Sequence, residues 1–210
     1  KKIKYLIEIE NLEFNELIIF LDISDIPDDY YYAINFSNEG TKINDLRDSI
    51  QDFLIKNSTL YLFLDVLASK IKYLKENIKY RYFASNFFNV NFFKISSQKI
   101  NLYKSIHVER GNWINDNYYW EKHGSKGREF AKLNLENLNF LLKKNNIDFT
   151  LVIYPWPSQI FFDINAKKHR DFWKKWSINN KVNFIDFFKD FSDSDKIKVI
   201  NNFFIEGDVH

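Results

Sequence analysis

With 210 residues, 45% of them hydrophobic and 28% charged, the chain has the composition of one globular domain with a full apolar core, not of a disordered segment. A formal net charge of +2, with lysines scattered among acids and aromatics, sets up no field that would single out nucleic acid or an anionic membrane as partner. The absence of Cys excludes disulfides and thiolate metal sites without fixing a compartment.

There is no Met, even at position 1. The chain opens inside a helical pattern and stops at His210, directly after a Gly-Asp-Val turn, so both ends read as cut; the sequence is silent on any upstream signal peptide or anchor. No apolar run approaches the roughly 18 residues that span a bilayer; Leu60 to Ala68 is apolar but interrupted by Asp65. The 22 Phe, beside abundant Lys, Asn and Ile, read as a drift toward AT-rich codons and not as an aromatic cofactor box.

In chain order, Ile3, Leu6 and Ile7 stripe a first helix, Lys1 to Glu10, with Leu12 just beyond it continuing the stripe. Leu17 to Leu21 follows as a strand. A long stretch, Pro27 to Gly124, holds helical pieces near Ile43 to Leu54 and Ser58 to Leu74; Tyr80 to His123 is rich in Tyr, Phe and Asn, with weak periodicity. A connection of this length reads as an insertion, a lid or a subdomain within one domain spanning 1–210. A second helix carries Ala131, Leu135, Leu138 and Leu142 at spacings of four, three and four, with Ser125 as N-cap, Lys143 and Lys144 at its negative end, and Asn145 and Asn146 in the terminal turn. Phe149 to Tyr154 is the second strand. A third helix, about Ala166 to Ser177, turns Phe172, Trp173 and Trp176 inward, and Val182 to Phe187 is the third strand. The first two strands are apolar at nearly every position, which predicts parallel strands covered on both faces. Helix and strand in alternation predict right-handed βαβ units and an α/β fold.

In an open parallel sheet, ligands bind outside the carboxyl ends of the strands. The first strand runs into Asp22-Ile23-Ser24-Asp25, and the second into Tyr154-Pro155-Trp156-Pro157-Ser158-Gln159. The third contains Asp186 and is followed, after a short helix near Ser192 to Ile200, by Glu206-Gly207-Asp208-Val209-His210. Leu21-Asp22-Ile23-Ser24-Asp25 lies over an L-G-x-N-D pattern, and Asp208-Val209-His210 resembles the late loop that carries an acid and a histidine. In these blocks the chain resembles the SGNH (GDSL-type) serine hydrolases, and in its D-x-H spacing their alginate acetyltransferase-like branch. The pattern is departed from where Asp22 replaces Gly, Ser24 replaces Asn, and the acid stands two residues before the histidine instead of three.

The resemblance implies a three-layer α/β/α sandwich of SGNH or flavodoxin-like type, truncated at its N-terminus so that the G-D-S nucleophile block lies upstream. It implies an esterase or O-acyltransferase acting on acyl esters of carbohydrate in the cell envelope, with no cofactor or metal. In it His210 is the general base, Asp208 orients the imidazole, and Ser24 places a hydroxyl near the oxyanion. Asp22, Asp25, Trp156 and Gln159 border the substrate. The same residues also suit purely structural roles. Asp22, Ser24 and Asp25 suit a hydrogen-bonded turn leaving a strand, and Trp156 between two prolines suits a rigid core plug. Two functional alternatives stay open: Ser24 as the nucleophile, against which Pro27-Asp28-Asp29 is expected not to open a following helix, and a non-catalytic glycan-binding or assembly module on the same scaffold. His107, His123 and His169 are dispersed in sequence, which argues against a metal site.

Overall fold

Runs of Leu, Ile, Val and Phe form three strands, β1 (Glu16–Leu21), β2 (Asp148–Ile153) and β3 (Asn183–Asp186), in a computed structural model that describes residues 2–35, 53–54, 58–108, 111, 113–114, 116–163, 167–191 and 195–205. The strands make one parallel sheet in the order β1-β2-β3, with Ile19 opposite Leu151 and Leu151 opposite Phe184. The expected helix over Ile43 to Leu54 lies outside the described residues apart from Phe53 and Leu54, and Asp208 and His210 lie outside them altogether.

Among the described residues the helices longer than one turn are α1 (Lys2–Glu8), α2 (Asp25–Asn35), α3 (Thr59–Phe87), α4 (Ser97–Ile106), α5 (Ser125–Lys144), α6 (Pro157–Asp163), α7 (Lys167–Asn180) and α8 (Lys196–Phe203), apart from the π-helical turn before α5. Residue contacts divide the chain into two compact units. One holds Lys1–Tyr30 and Ile106–Phe204, and with them the whole sheet; the other holds Tyr31–Ser105. In the second unit α3 is N-capped by Ser58, whose hydroxyl accepts from the Tyr61 amide at 3.2 Å. Its last turns are tied down by Arg81 donating to the Ile95 carbonyl and by Lys104 donating to Asn77.

The core of the first unit draws Leu17, Ile19 and Leu21 from β1, Phe149, Leu151 and Ile153 from β2 and Phe184 from β3, which all lie on one face of the sheet. Ala131, Leu135 and Leu142 of α5, Trp173 and Trp176 of α7, and Ile3 and Ile7 of α1 pack with them. On the other face Ile18, Phe20 and Ile185 are 49%, 58% and 41% exposed. The expectation that β1 is covered on both faces is therefore corrected; of the two strands, β2 alone has Phe149 to Ile153 buried throughout. The reason is topological. Right-handed crossovers that step along the sheet in one direction lay their helices on one face, and β1-β2-β3 steps in one direction only.

Two local expectations also change. Ser125 is not an N-cap, because a π-helical turn, Trp120–Gly124, leads straight into α5 and the Ser125 amide donates to the Trp120 carbonyl. A helix does open after Ser24: α2 begins at Asp25 and admits Pro27 in its first turn, where no intrahelical donor is lost and where Asp25 and Asp28 suit the positive end of the dipole. Asn145 and Asn146 do end α5, Asn146 with a φ of 55°. Gly127 lets α5 approach this corner: a Cβ there would stand 2.1 Å from the Ile26 carbonyl oxygen.

Candidate functional site

At the carboxyl end of β1 the chain turns into α2 through a buried carboxylate. Asp22 is 8% exposed and, among the described residues, accepts four hydrogen bonds. Its Oδ1 takes the Ser24 amide and the Ser24 hydroxyl, each at 2.7 Å; its Oδ2 takes the Tyr154 hydroxyl at 2.6 Å and the Trp156 indole N–H at 2.9 Å. The Asp22 amide in turn donates to Asp25 Oδ2 at 3.3 Å. Burial alone would raise the Asp22 pKa, but the donors from Tyr154, Ser24 and Trp156 together hold it below its ordinary value. Tyr154 responds in the opposite sense: burial, then its bond to Asp22, then the charges of Asp22 and Asp25 push its phenol up.

The residues named from sequence therefore divide. Asp22, Ser24 and Trp156 meet in one network, with Asp25 at its margin. The Ser24 side chain is buried and its proton is directed at Asp22. Trp156 is buried in the apolar core. Gln159 is also buried: Oε1 accepts from the Trp156 amide at 2.7 Å, and Nε2 donates to the Gly111 carbonyl at 2.6 Å and to Ser158 at 2.9 Å. These bonds fasten the Pro155–Gln159 corner, leaving little of either side chain to meet a ligand. Asp208 and His210 lie outside the described residues, so the acid–histidine pair has no geometry here.

A second group joins the same sheet edge and was not assigned from sequence. Asp186, at the end of β3, takes two bonds on Oδ2 from Arg170, at 2.9 Å from Nε and 2.6 Å from Nη2, while its Oδ1 accepts from the Phe188 amide at 3.1 Å. Beside Arg170, His169 is fully buried against Trp113, Trp173 and Phe188, with ring centroids 6.0, 6.5 and 6.4 Å away. Among the described residues neither of its ring nitrogens has a hydrogen-bond partner. Burial, and then the charge of Arg128, lower its pKa to about 4, against a smaller upward pull from Asp186 and Asp22. Arg128 itself lies between aromatic faces, 4.5 Å from the Trp120 ring centre and 4.2 Å from that of Phe172. The Arg170–Asp186 pair also borders an open cleft of about 350 Å³, lined besides by Lys167, Asp171, Lys174, Phe184 and Lys189. The sequence signal for the buried group is the stripe His169, Trp173 and Trp176 at helical spacings of four and three.

Fold and site together define an α/β protein whose polar groups gather at the carboxyl edge of a parallel sheet, the end at which such sheets hold ligands. No protein-family model, curated protein or solved structure matches the chain. Among the described residues no three His, Asp or Glu side chains converge as metal ligands, and no helix is long and apolar enough to cross a membrane.

Proposed function

We propose that this chain carries part of the acyl-ester site of an SGNH-type serine esterase or O-acyltransferase acting on acylated carbohydrate, on a three-layer α/β/α sandwich. The observation that carries the reading is the joining of the β1 and β2 carboxyl ends through Asp22, Ser24, Tyr154 and Trp156, in a parallel sheet of consecutive strand order. In this reading Asp208 and His210 supply the acid and base, Ser24 the oxyanion donor, and Trp156 and Gln159 shape the wall of the site from behind. In this reading the face bearing Ile18, Phe20 and Ile185, exposed among the described residues, is the one a second helical layer would cover. No G-D-S block occurs in residues 1–210, so the reading assigns no nucleophile within them.

A second reading is favoured by the hydrogen bonds of Ser24. An oxyanion donor must aim its proton at the reacting carbonyl, whereas the amide and hydroxyl of Ser24 both donate to Asp22. That closed arrangement suits a non-catalytic glycan-binding or assembly module on the same scaffold. The strand-turn-helix around Ser24 is the setting of a nucleophile, but a carboxylate held below its ordinary pKa is a poor base for one.

Three measurements separate these readings: hydrolysis of a chromogenic acetate ester, labelling by a fluorophosphonate probe, and affinity electrophoresis in acetylated and deacetylated alginate. Acetyl-dependent retention without labelling is the expected result for residues 1–210. Labelling abolished by Ser24→Ala would make Ser24 the nucleophile. Equal retention by both glycans favours the binding module, and neither retention nor turnover rejects the acyl-carbohydrate assignment.

A further inference from the structure

Helix α3 presents an apolar seam that the described residues of its own unit leave exposed. The helix packs on that unit through its C-terminal half: Ala84 and Ser85 are buried, Arg81 bonds to the Ile95 carbonyl, and Asn77 accepts from Lys104. A different line of side chains runs along the preceding turns. Leu60, Leu64, Leu67, Ile71, Leu74 and Ile78 recur at spacings of four, three, four, three and four. That alternation averages 3.5 residues, the period of a coiled-coil seam. On a straight helix all six stay within about 40° of one line. Their exposures are 68%, 51%, 42%, 57%, 58% and 60%. A surface helix normally buries such a stripe, and monomers rarely expose contiguous apolar area of this extent.

The residue types specify the partner. In heptad register Leu60, Leu67 and Leu74 take the d positions, and Leu64, Ile71 and Ile78 take the a positions. Leu at d, with Ile at two of three a positions, favours two parallel strands. Half-exposed Leu and Ile side chains each offer on the order of 100 Å². Six per helix give about 1,200 Å² for a pair, the lower bound of a stable interface. Phe63, at a g position and 62% exposed, adds to it. The next d and a positions are Arg81 and Ser85, which are engaged within the unit, so the seam stops at Ile78.

We propose that α3 is a dimerisation element, and that two copies of this chain pair through a parallel two-stranded coiled coil over Leu60–Ile78. Lys70 at g and Lys75 at e then face one another across the pair, a like-charge contact exposed to solvent. It opposes the seam only weakly and is screened by salt, so the dimer tightens as salt is raised.

Sedimentation equilibrium over a broad concentration range tests this. Wild type should show a monomer–dimer equilibrium. Leu67→Lys with Ile71→Lys, exposed substitutions that keep helix propensity, should weaken it about a hundredfold or more with unchanged circular dichroism. Lys70→Glu should tighten it about threefold to tenfold at low salt, because it converts both Lys70–Lys75 contacts to opposite charge, and the gain should vanish at high salt. The chain has no Cys, so Leu74→Cys supplies a single thiol, and diamide should link two copies through it only if the strands are parallel and in register. A monomer at every concentration overturns the proposal. So does a dimer that survives the seam lysines but is lost on Phe20→Thr, which would place the interface on the sheet. Seam-dependent sedimentation of a monomer with phosphatidylcholine vesicles would make the seam a membrane-surface element instead.

Discussion

Acid should weaken the sheet-bearing unit through His169, and the size of the effect follows from its surroundings. The imidazole is fully buried among Trp113, Trp173 and Phe188 with neither nitrogen bonded, and its pKa is lowered to about 4 from an ordinary 6.5. The folded state therefore keeps His169 neutral while the unfolded chain protonates it below 6.5. Stability from this group is complete above 6.5, falls as pH drops toward 4, and is flat below that, since both states are then protonated. The distance from 6.5 to about 4 is worth about 3 kcal/mol, a large share of the 5–15 kcal/mol typical of a domain. Asp22 does not confuse the window. Its pKa lies below the ordinary 3.8, so the stability it confers is lost only as pH falls further. Urea unfolding at pH 7, 6, 5 and 4 should show wild type losing about 3 kcal/mol more than His169→Phe over that range. The pH slope, not the value at pH 7, is the readout: removing two unpaired nitrogens stabilises, while the larger ring costs packing energy. Parallel slopes for the two proteins, or an imidazole that titrates near 6.5 by NMR, would refute the assignment of a buried, unpartnered histidine.

Gly127→Ala should destabilise by about 1–3 kcal/mol in thermal or urea unfolding, because a Cβ 2.1 Å from the Ile26 carbonyl forces α5 off the β1–α2 corner; helix propensity alone would predict a gain of about 1 kcal/mol. Asp22→Ala should cost at least about 3 kcal/mol and change the near-ultraviolet circular dichroism of Trp156, since it leaves the Ser24, Tyr154 and Trp156 donors without their acceptor. Tyr154→Phe, which removes one of the Asp22 donors, should cost about 1 kcal/mol and raise the Asp22 pKa, measurable by carboxyl NMR titration.

β1 and β2 were legible because their runs are apolar at nearly every position, and the parallel arrangement of the strands followed from the helices between them. What covers each face was not legible: the composition of β1 resembles that of β2, yet only β2 has neighbours on both sides and a buried run throughout. Pro27 read as a barrier to a helix after Ser24 because its place in the first turn depends on where the turn begins, which the Asp22 hydrogen bonds set. At the site, the strand-end rule found Asp22, Ser24 and Trp156 but not their relation. That Asp22 holds the other two, with Tyr154, depends on register between strands more than a hundred residues apart. His169 was set aside as one dispersed histidine among several, since only the sheet brings it within electrostatic reach of Asp22 and Asp186.

The exposed sheet face yields the last prediction. Val152 and Thr150 lie on that face of the central strand and are nonetheless 1% and 4% exposed. Nearby, Phe20 stacks on Phe187 with ring centroids 6.4 Å apart and tilts against Tyr154 at 6.3 Å. Phe20 and Phe187 themselves stay in water, at 58% and 36% exposed. Full burial of a Phe is worth about 1.5–3 kcal/mol, and Phe20 is buried over less than half its surface, so Phe20→Thr should cost only about 1 kcal/mol. Threonine keeps the β propensity of the strand. Binding of an anilinonaphthalene dye should fall in the same variant, since the patch loses its largest ring. A cost above about 3 kcal/mol would mean that the ring is covered in solution, by a second layer or another copy. Dye binding unchanged by Phe20→Thr and abolished by the seam lysines of α3 would place the accessible apolar surface on that helix, leaving the sheet face closed.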